Sequence, residues 1–270
     1  MTESVYEMVE KNCRILGLPF SSAELANLAE QNDFNDEALA AVGQIFEYLA
    51  TKQTATTIQT LLKMSRLPLK HPKTFENFDF SVIKGKDADR LRNIQSLSAI
   101  YAHRNLAFIG PAGTGKTHLA QAFGYECCQR GMKTYFIKMT ELRDKLSAAR
   151  RAGTEASCLS GLVRPSCLII DEVGHCEFDK ENTRLFFDLI DRRYNKEGNY
   201  NIVFTSNKSP SQWRSNFNED DALLCALDRI FDDATVFNIK GESFRGRRLE
   251  TIALHTSRLS ALDPTEKPTL

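Results

Sequence analysis

The chain has 270 residues, of which 42% are hydrophobic and 26% charged, a composition typical of a folded globular protein. It carries 35 basic and 35 acidic side chains, which excludes a broadly basic protein, so a nucleic-acid site would have to be a local patch. It contains no apolar run long enough to cross a membrane and no signal-peptide pattern, and its seven scattered cysteines show no metal-ligand spacing, which together predict a cytoplasmic protein.

Residues 1–66 are predicted to form a small helical domain. Apolar residues recur there at the spacing of one helix face, as at Leu39, Val42 and Phe46. Either Ser21 or Ser22, which both precede Glu24, is a typical helix start. The segment contains five basic and nine acidic residues, a net charge of −4, and therefore lacks the basic surface that a DNA clamp requires.

Residues 67–80 are predicted to be an extended linker that packs against the protein, because they combine prolines with alternating aromatic residues. From residue 81 onward, short apolar runs alternate with amphipathic helical stretches. Continuously apolar runs are typical of strands buried on both faces, and their alternation with helices predicts an α/β fold with a five-stranded parallel sheet. The predicted strands are 105–110, 133–138, 166–171, 201–206 and 235–239.

The segment GPAGTGKT, residues 110–117, is a complete phosphate-binding loop motif, G-x-x-x-x-G-K-[ST]. A predicted strand precedes it and a predicted helix follows it, a context that a flexible glycine-rich turn would lack. Its glycines allow backbone N–H groups to surround phosphates, Lys116 would reach the β- and γ-phosphates, and the Thr117 hydroxyl would bind Mg²⁺. The predicted nucleotide-binding residues are Gly110, Pro111, Ala112, Gly113, Thr114, Gly115, Lys116, Thr117 and His118.

Two acidic residues, Asp171 and Glu172, end the third predicted strand. At the carboxyl edge of a parallel sheet, Asp171 can hold Mg²⁺ and Glu172 can orient and polarise an attacking water. An ordinary acidic strand end is the alternative, but the phosphate-binding loop upstream favours the catalytic interpretation. An aspartate followed directly by a glutamate is typical of hydrolytic ATPases rather than of kinases or small GTPases.

The segment TSNKS, residues 205–209, is similar to the N-K-x-D motif that reads guanine, but Pro210 stands where the aspartate would be. Adenine is therefore favoured as the base. Asn207 follows the fourth predicted strand, which we expect to lie beside the third, so that its amide would hydrogen-bond the attacking water or the γ-phosphate. The alternative for Asn207 is a cap of the helix predicted to begin near Pro210.

Five segments resemble the AAA+ ATPases of the IstB/DnaC clade, with a closer match to the IstB-like transposition helper ATPases of bacterial insertion sequences. They are NLAFIGPAGTGKTHLAQAFGYECCQRG, CLIIDEVGH, FTSN, LDRI and IKGESFR, and they follow one another within residues 75–248. The resemblance implies an αβα AAA+ core with a P-loop and a five-stranded parallel sheet, which we assign to residues 81–258. The composition of residues 259–270 predicts a disordered tail.

The resemblance also implies two arginines at the nucleotide. Arg229 matches the finger arginine, which reaches ATP bound to a neighbouring subunit, and Arg245 matches the second sensor, which contacts the subunit's own ATP. Together with Glu172 and Asn207, Arg229 completes the predicted catalytic set. The alternative for Arg229 is a surface ion pair with a nearby aspartate. Members of the clade assemble on DNA as homo-oligomers with ATP between their subunits.

DNA contacts are predicted, by the same resemblance, for the helix after the second strand, where Thr140 is a candidate cap. A solvated amphipathic helix is the alternative. Contacts of this kind would be made to phosphates and would weaken with added salt. The candidate DNA-binding residues are Lys138, Arg143, Lys145, Arg150 and Arg151.

Three functions are compatible with these residues. The first is a DNA-dependent ATPase that assembles on duplex DNA with ATP and Mg²⁺ and assists a partner transposase. The second is a DnaC-like loader that acts on a replicative helicase and favours single-stranded DNA. The third is an ATP-gated DNA scaffold in which slow hydrolysis serves only disassembly. The presence of both Glu172 and Arg229 favours hydrolysis of ATP to ADP and phosphate.

Overall fold

The computed structural model describes residues 4–83, 85, 87–217, 228–241 and 243. Arg245 and the predicted tail lie outside this part of the chain. The helices within it are α1 Val5–Leu16, α2 Ser22–Gln31, α3 Asp36–Met64, α4 Ala88–Arg92, α5 Ser98–Tyr101, α6 Lys116–Gln129, α7 Met139–Ala152, α8 Glu155–Val163 and α9 Lys180–Tyr194. The strands are β1 Asn105–Ile109, β2 Thr134–Lys138, β3 Cys167–Asp171, β4 Asn201–Ser206 and β5 Ala234–Asn238.

The amino-terminal region is helical, as predicted, and consists of α1, α2 and α3. Ser4 and Ser21 begin the first two helices, and the side chain of each accepts a hydrogen bond from the backbone N–H of the glutamate three residues later. Val9, Cys13 and Leu25 form a small buried core between the helices. The region therefore has a small apolar core of its own, while Leu61 near the end of α3 packs into the core cluster on the α6 side of the sheet.

The five strands form one parallel sheet in the order β2-β3-β4-β1-β5, which confirms the predicted α/β fold. Each strand begins and ends within one residue of its predicted bounds. β3 and β4 are buried along their whole length, whereas β5, at one edge of the sheet, is largely half-buried or exposed. Because all five strands run in the same direction, the carboxyl ends of β1, β3 and β4 meet at one edge.

Helices cover both faces of the sheet, which gives the αβα layering. One core cluster joins the sheet to α7, α8 and α9, for example through Leu142, Leu159 and Phe186. The other joins it to α6 and to the short helices α4 and α5. The sheet is therefore shielded from solvent on both faces, as a parallel sheet requires.

The segment after α3 packs on the α6 side of the sheet. Leu67, Phe75 and Phe78 are buried in the core cluster there. The backbone N–H of Phe136 in β2 donates to the carbonyl oxygen of Ser65 at 2.8 Å, so the chain also covers the outer edge of β2. This path carries the aromatic residues of the segment onto the start of α6.

The start of α7 differs from the prediction that Thr140 caps it. The helix begins at Met139, with Lys138 in the cap position and no side-chain cap bond, so Thr140 lies inside the first turn. Met139 is fully buried against the sheet. The apolar contact of Met139 thus sets the beginning of the helix directly at the end of β2, and the prediction from the threonine was wrong.

A buried arginine joins α9 to the turn before β3. Arg193 is 1% exposed, and burial lowers its pKa to about 10, so the guanidinium remains charged at neutral pH. Its two terminal nitrogens donate to backbone carbonyl oxygens of Leu162, Val163, Pro165, Ser166 and Asn201. Five backbone acceptors, rather than a carboxylate, therefore compensate the charge.

We expect Arg193→Met to lower the free energy of unfolding by about 3–5 kcal/mol, because it leaves buried carbonyl oxygens without a donor. Urea denaturation at neutral pH measures this change. The matched control is Arg192→Met, since Arg192 forms an exposed pair with Asp188 at 2.7 Å and its loss should cost less than about 1 kcal/mol. Equal losses from the two variants would contradict the role assigned to Arg193.

Candidate nucleotide-binding site

The phosphate-binding loop joins β1 to α6, and Gly113 and Gly115 show why it requires glycine. Gly113 and Gly115 have φ angles of +81° and +89°, in the left-handed region that other residues rarely adopt. A Cβ atom at Gly113 would lie 1.9 Å from the Ser243 hydroxyl oxygen, and one at Gly115 would lie 2.7 Å from the Phe78 ring. Both the curvature of the loop and the close approach of its neighbours therefore require glycine.

Lys116 begins α6 and is buried at the base of the loop, with 7% of its surface exposed. Its ammonium donates to the carbonyl oxygen of Pro111 at 2.6 Å, and the Thr114 hydroxyl donates to the same oxygen at 2.9 Å. The loop thus folds around its own lysine. The first backbone N–H groups of α6 lack partners within the helix and are available to an anion.

Asp171, the last residue of β3, lies next to the loop. Its Oδ1 accepts hydrogen bonds from the hydroxyls of Thr117, at 2.8 Å, and of Thr205 in β4. Burial raises the pKa of Asp171, and the two hydroxyl donors oppose that rise. β4 lies beside β3, as predicted, and the pairing of these two strands brings Thr205 to this carboxylate.

Glu172 has a constrained backbone, with a φ of +61° although it is not glycine. Its N–H donates to the Thr205 hydroxyl at 3.0 Å. Its carbonyl oxygen lies 3.2 Å from both the backbone nitrogen and the Nδ1 of His175. The turn therefore fixes the position from which the Glu172 side chain extends. His175, to which the sequence assigned no role, contributes to that turn.

Lys138 is placed at the nucleotide site rather than on an open basic surface. β2 and β3 are paired so that Lys138 lies opposite Asp171, and its ammonium is 3.1 Å from Glu172 Oε2. The hydrogen bond and the charge of Glu172 raise the pKa of Lys138. In this conformation the lysine that was predicted to contact DNA is paired with the candidate catalytic carboxylate.

A cavity of about 400 Å³ unites most of the predicted site. Its lining includes Lys73, Ala112, Gly113, Gly115, Lys116, Thr117, His118, Gln121, Glu172, Thr205, Ser206 and Asn207. Lys73, Gln121, Thr205 and Ser206 were missed by sequence reasoning. Gln121 lies three residues after His118 and so shares its helix face, but Lys73 comes from the distant segment before the core and carried no local signal.

His118 is oriented by the segment before the core. Its Nε2 is 2.9 Å from the carbonyl oxygen of Thr74, and its ring packs edge-on against Phe78 with 5.2 Å between the ring centroids. Burial lowers its pKa. The imidazole thus joins the wall of the cavity to the linker segment.

Asn207 follows β4 directly and lines the cavity, as expected for a group near the γ-phosphate. Residues Pro210–Asn216 form a 3₁₀ helix rather than an α-helix. The side-chain hydrogen bonds at its start join Ser209 to Gln212. The position of Asn207 therefore suits the sensor role, which stays a prediction.

Arg229 lies at the opposite edge of the sheet, in a helical turn, 228–231, that precedes β5. Its Nη2 is 3.3 Å from Asp191 Oδ1 on α9. An ion pair with an aspartate, which was the alternative for this residue, therefore exists within one subunit. The remaining predicted contact, with ATP on a neighbouring subunit, stays a prediction.

The basic residues of α7 do not form one stripe. Arg143 pairs with Asp144 at 2.8 Å, and Arg150 pairs with Asp179 at the start of α9 at 2.7 Å. Lys145 and Arg151 are exposed but leave the helix in different directions, because they are six residues apart. A solvated amphipathic helix therefore remains the alternative to DNA binding for these residues. Lys145 and Arg151 are the more accessible candidates for DNA contacts.

Residues 11–251 match the family described as IstB-like ATP binding protein. The chain belongs to this family. It is 35% identical to the protein named as the ATP-binding protein of insertion sequence IS5376 from Geobacillus stearothermophilus, over 89% of this chain and 94% of that one. It is 32% identical to its counterpart in insertion sequence IS21 from Pseudomonas aeruginosa, over 77% of each chain.

Solved structures share the fold. AMPPCP-bound DnaA from Aquifex aeolicus superposes with a TM-score of 0.53 and 21% identity, over 64% of this chain and 52% of that one, so the match spans about half of DnaA. The DnaC helicase loader superposes with a TM-score of 0.51 and 19% identity, over 62% of this chain and 97% of that one. These likenesses show that the fold is shared, and at such identities they carry no functional statement.

Membership in the family makes the chain an ATP-binding protein of insertion-sequence type. No helix in the described ranges is both long enough and apolar enough to cross a bilayer. The cavity beside the phosphate-binding loop, bounded by Lys116 and Glu172, is the candidate site for ATP.

The donors beside the loop fit Mg²⁺. A hydroxyl and a carboxylate, those of Thr117 and Asp171, lie 2.8 Å apart and supply the hard oxygen ligands that this ion prefers. Mg²⁺ usually keeps several waters and takes further ligands from nucleotide phosphates, so two protein oxygens are sufficient. We therefore assign Thr117 and Asp171 as the candidate metal ligands.

We expect Asp171→Asn to stabilise the nucleotide-free protein near pH 7. Burial raises the pKa of Asp171, so the folded protein favours the neutral carboxyl. The contribution of the neutral carboxyl to the free energy of unfolding is present at low pH and is lost as the carboxyl ionises. A neutral amide avoids this loss, and the melting temperature should rise by a few degrees.

The same variant should lose the additional stabilisation that Mg²⁺ gives in the presence of ATP, because a metal ligand is removed. Thermal unfolding with and without MgATP tests both parts. The advantage of the variant should shrink as the pH is lowered and the wild-type carboxyl becomes protonated. A lower melting temperature of the nucleotide-free variant at pH 7 would contradict the assigned cause.

Proposed function

We propose that this chain is a DNA-dependent ATPase that assembles on duplex DNA with ATP and assists the transposase of an insertion sequence. The observation that carries the proposal is the position of Glu172 on the ATP cavity, with its backbone held by the Thr205 hydroxyl at 3.0 Å. A fixed carboxylate beside a phosphate-binding loop suits attack of water on the γ-phosphate. The names of the relatives support the insertion-sequence context.

Binding of the triphosphate uses the loop and the start of α6. The backbone N–H groups there surround the phosphates, and Lys116 moves its ammonium from the Pro111 carbonyl to the β- and γ-phosphate oxygens. Mg²⁺, held by Thr117 and Asp171, would neutralise charge on the same oxygens when bound. Thr205 keeps the Asp171 carboxylate in its orientation.

Hydrolysis uses the carboxylate of Glu172. A water aligned with the γ-phosphorus donates a hydrogen bond to Glu172, which takes up its proton as the new P–O bond forms and the bond to the β-phosphate oxygen breaks. Asn207 would orient this water or bind a γ-phosphate oxygen. The products are ADP and inorganic phosphate.

The ion pair between Lys138 and Glu172 offers a physical link between DNA and hydrolysis. At 3.1 Å from the ammonium, the Glu172 carboxylate is neutralised in part and is a weaker base toward the attacking water. A DNA phosphate that binds Lys138 would release Glu172 for catalysis. Lys138 would then act both as the predicted DNA contact and as a control on the carboxylate.

One alternative function has an observation in its favour. The Lys138–Glu172 pair would also suit an ATP-gated DNA scaffold, because it would keep hydrolysis slow. The helicase-loader alternative rests on the fold shared with DnaC, at 19% identity. Insertion-sequence relatives at 35% and 32% identity therefore favour the transposition role.

The test of the proposed function is the rate of ATP hydrolysis with duplex or single-stranded DNA, at about 50 and 200 mM salt. Stimulation by duplex DNA that weakens at the higher salt is expected. A preference for single-stranded DNA would indicate a loader, and a rate that DNA does not change would contradict the proposal. Glu172→Gln should retain ATP binding, remain on duplex DNA, and hydrolyse about 10²–10⁴ times more slowly.

We expect Lys138→Met to raise the rate of hydrolysis without DNA severalfold and to reduce stimulation by DNA, because Glu172 loses its partner. Steady-state phosphate release measures both quantities. Lys133→Met is the matched control, since Lys133 is an exposed lysine immediately before β2. A lower basal rate in Lys138→Met would show instead that the lysine supports catalysis.

A further inference from the structure

The guanidinium of Arg229 is held by two residues of α9. Its central carbon lies 5.3 Å from the ring centroid of Phe187, and its Nη2 lies 3.3 Å from Asp191 Oδ1. Phe187 and Asp191 are four residues apart and therefore share one face of the helix. The face of the planar guanidinium thus rests on a ring while one of its edges is tied to a carboxylate.

The other edge of the guanidinium lacks an acceptor among the residues that the structure describes. Nη1 of Arg229 is buried and has no hydrogen-bond partner among the described residues. Two nearby acids have other partners, since Asp232 accepts from the Tyr194 hydroxyl at 3.0 Å and Asp233 pairs with Arg104 at 2.8 Å. A charged donor withheld from water without an acceptor is unfavourable, so this edge suits an incoming anion.

Space for such a ligand lies beside the arginine. A cavity of about 320 Å³ opens at the amino edge of the sheet, lined in part by Arg229, Tyr194, Tyr200 and His103. The subunit's own phosphate-binding loop is at the carboxyl edge. Because a strand rises about 3.3 Å per residue, five-residue strands separate the two edges by roughly 15 Å. An anion that meets Arg229 therefore comes from another molecule.

We propose that Asp191 is a positioning residue that orients Arg229 toward a phosphate of ATP bound to a second copy of this chain. The inference rests on the proposed function and on ATP lying between subunits, as the family resemblance implies. Asp191 binds one edge of the guanidinium and Phe187 supports its face, so the free edge keeps a single direction before the subunits meet. The guanidinium of Arg229 then loses less orientational freedom when the phosphate binds.

The experiment uses mixtures of full-length variants, assayed with ATP and duplex DNA. Lys116→Ala subunits cannot bind phosphate but keep Arg229, and Arg229→Ala subunits bind ATP but lack the finger. Each should be nearly inactive alone. A mixture should recover activity, because an ATP site of one variant can meet the arginine of the other.

Asp191→Asn is then added to one partner at a time. In the Lys116→Ala subunit, which donates the arginine, it should lower the activity of the mixture about tenfold. In the Arg229→Ala subunit, which binds ATP, it should change the activity by less than about twofold. Asp188→Asn, which breaks an exposed pair with Arg192 on the same helix, is the matched control and should have no effect in either partner.

The outcomes separate the two levels of the inference. If the mixture of single variants recovers no activity, Arg229 does not act between subunits, and both that role and the Asp191 proposal fail. If the mixture recovers but Asp191→Asn acts equally in both partners, or in neither, the arginine acts between subunits and only the positioning role fails. A drop confined to the arginine-donating partner supports the proposal.

Discussion

The contact of Asp171 with two threonine hydroxyls is the interaction on which the candidate ATP site depends. Thr117 comes from the start of α6 and Thr205 from β4, so a single carboxylate joins three elements. The parallel pairing of β3 with β4 makes the contact possible. The Thr205 hydroxyl also accepts the N–H of Glu172, so the orientation of the candidate metal ligand and that of the candidate base are coupled.

Much of the fold could be predicted because its signals are local in sequence. Continuous apolar runs identified all five strands, and the phosphate-binding loop motif identified the junction between β1 and α6. Asp171 and Glu172 were found because they directly follow such a run. In each case the residues that specify a structural element lie within a few positions of that element in the sequence.

The features that were missed depend on pairing between distant parts of the chain. Thr205 stands in an apolar strand as any β-branched residue does, and only the neighbouring strand gives it a carboxylate to bind. Lys138, at the end of the second predicted strand, was grouped with the basic residues of the next helix, whereas the register with β3 brings it to Glu172. The cap assigned to Thr140 was wrong because burial of Met139 decided where α7 begins.

The buried arginine has a consequence for how the core assembles. Arg193 binds carbonyl groups that precede it by about thirty residues and one that follows it in β4. The turn after α8 and the first residue of β4 therefore gain the guanidinium as a donor only when α9 has docked. Partial assembly would leave either the guanidinium or the carbonyls desolvated and unpaired, which disfavours intermediates that lack one of these elements. The segment from α8 to β4 should consequently open and close as one cooperative unit in hydrogen exchange.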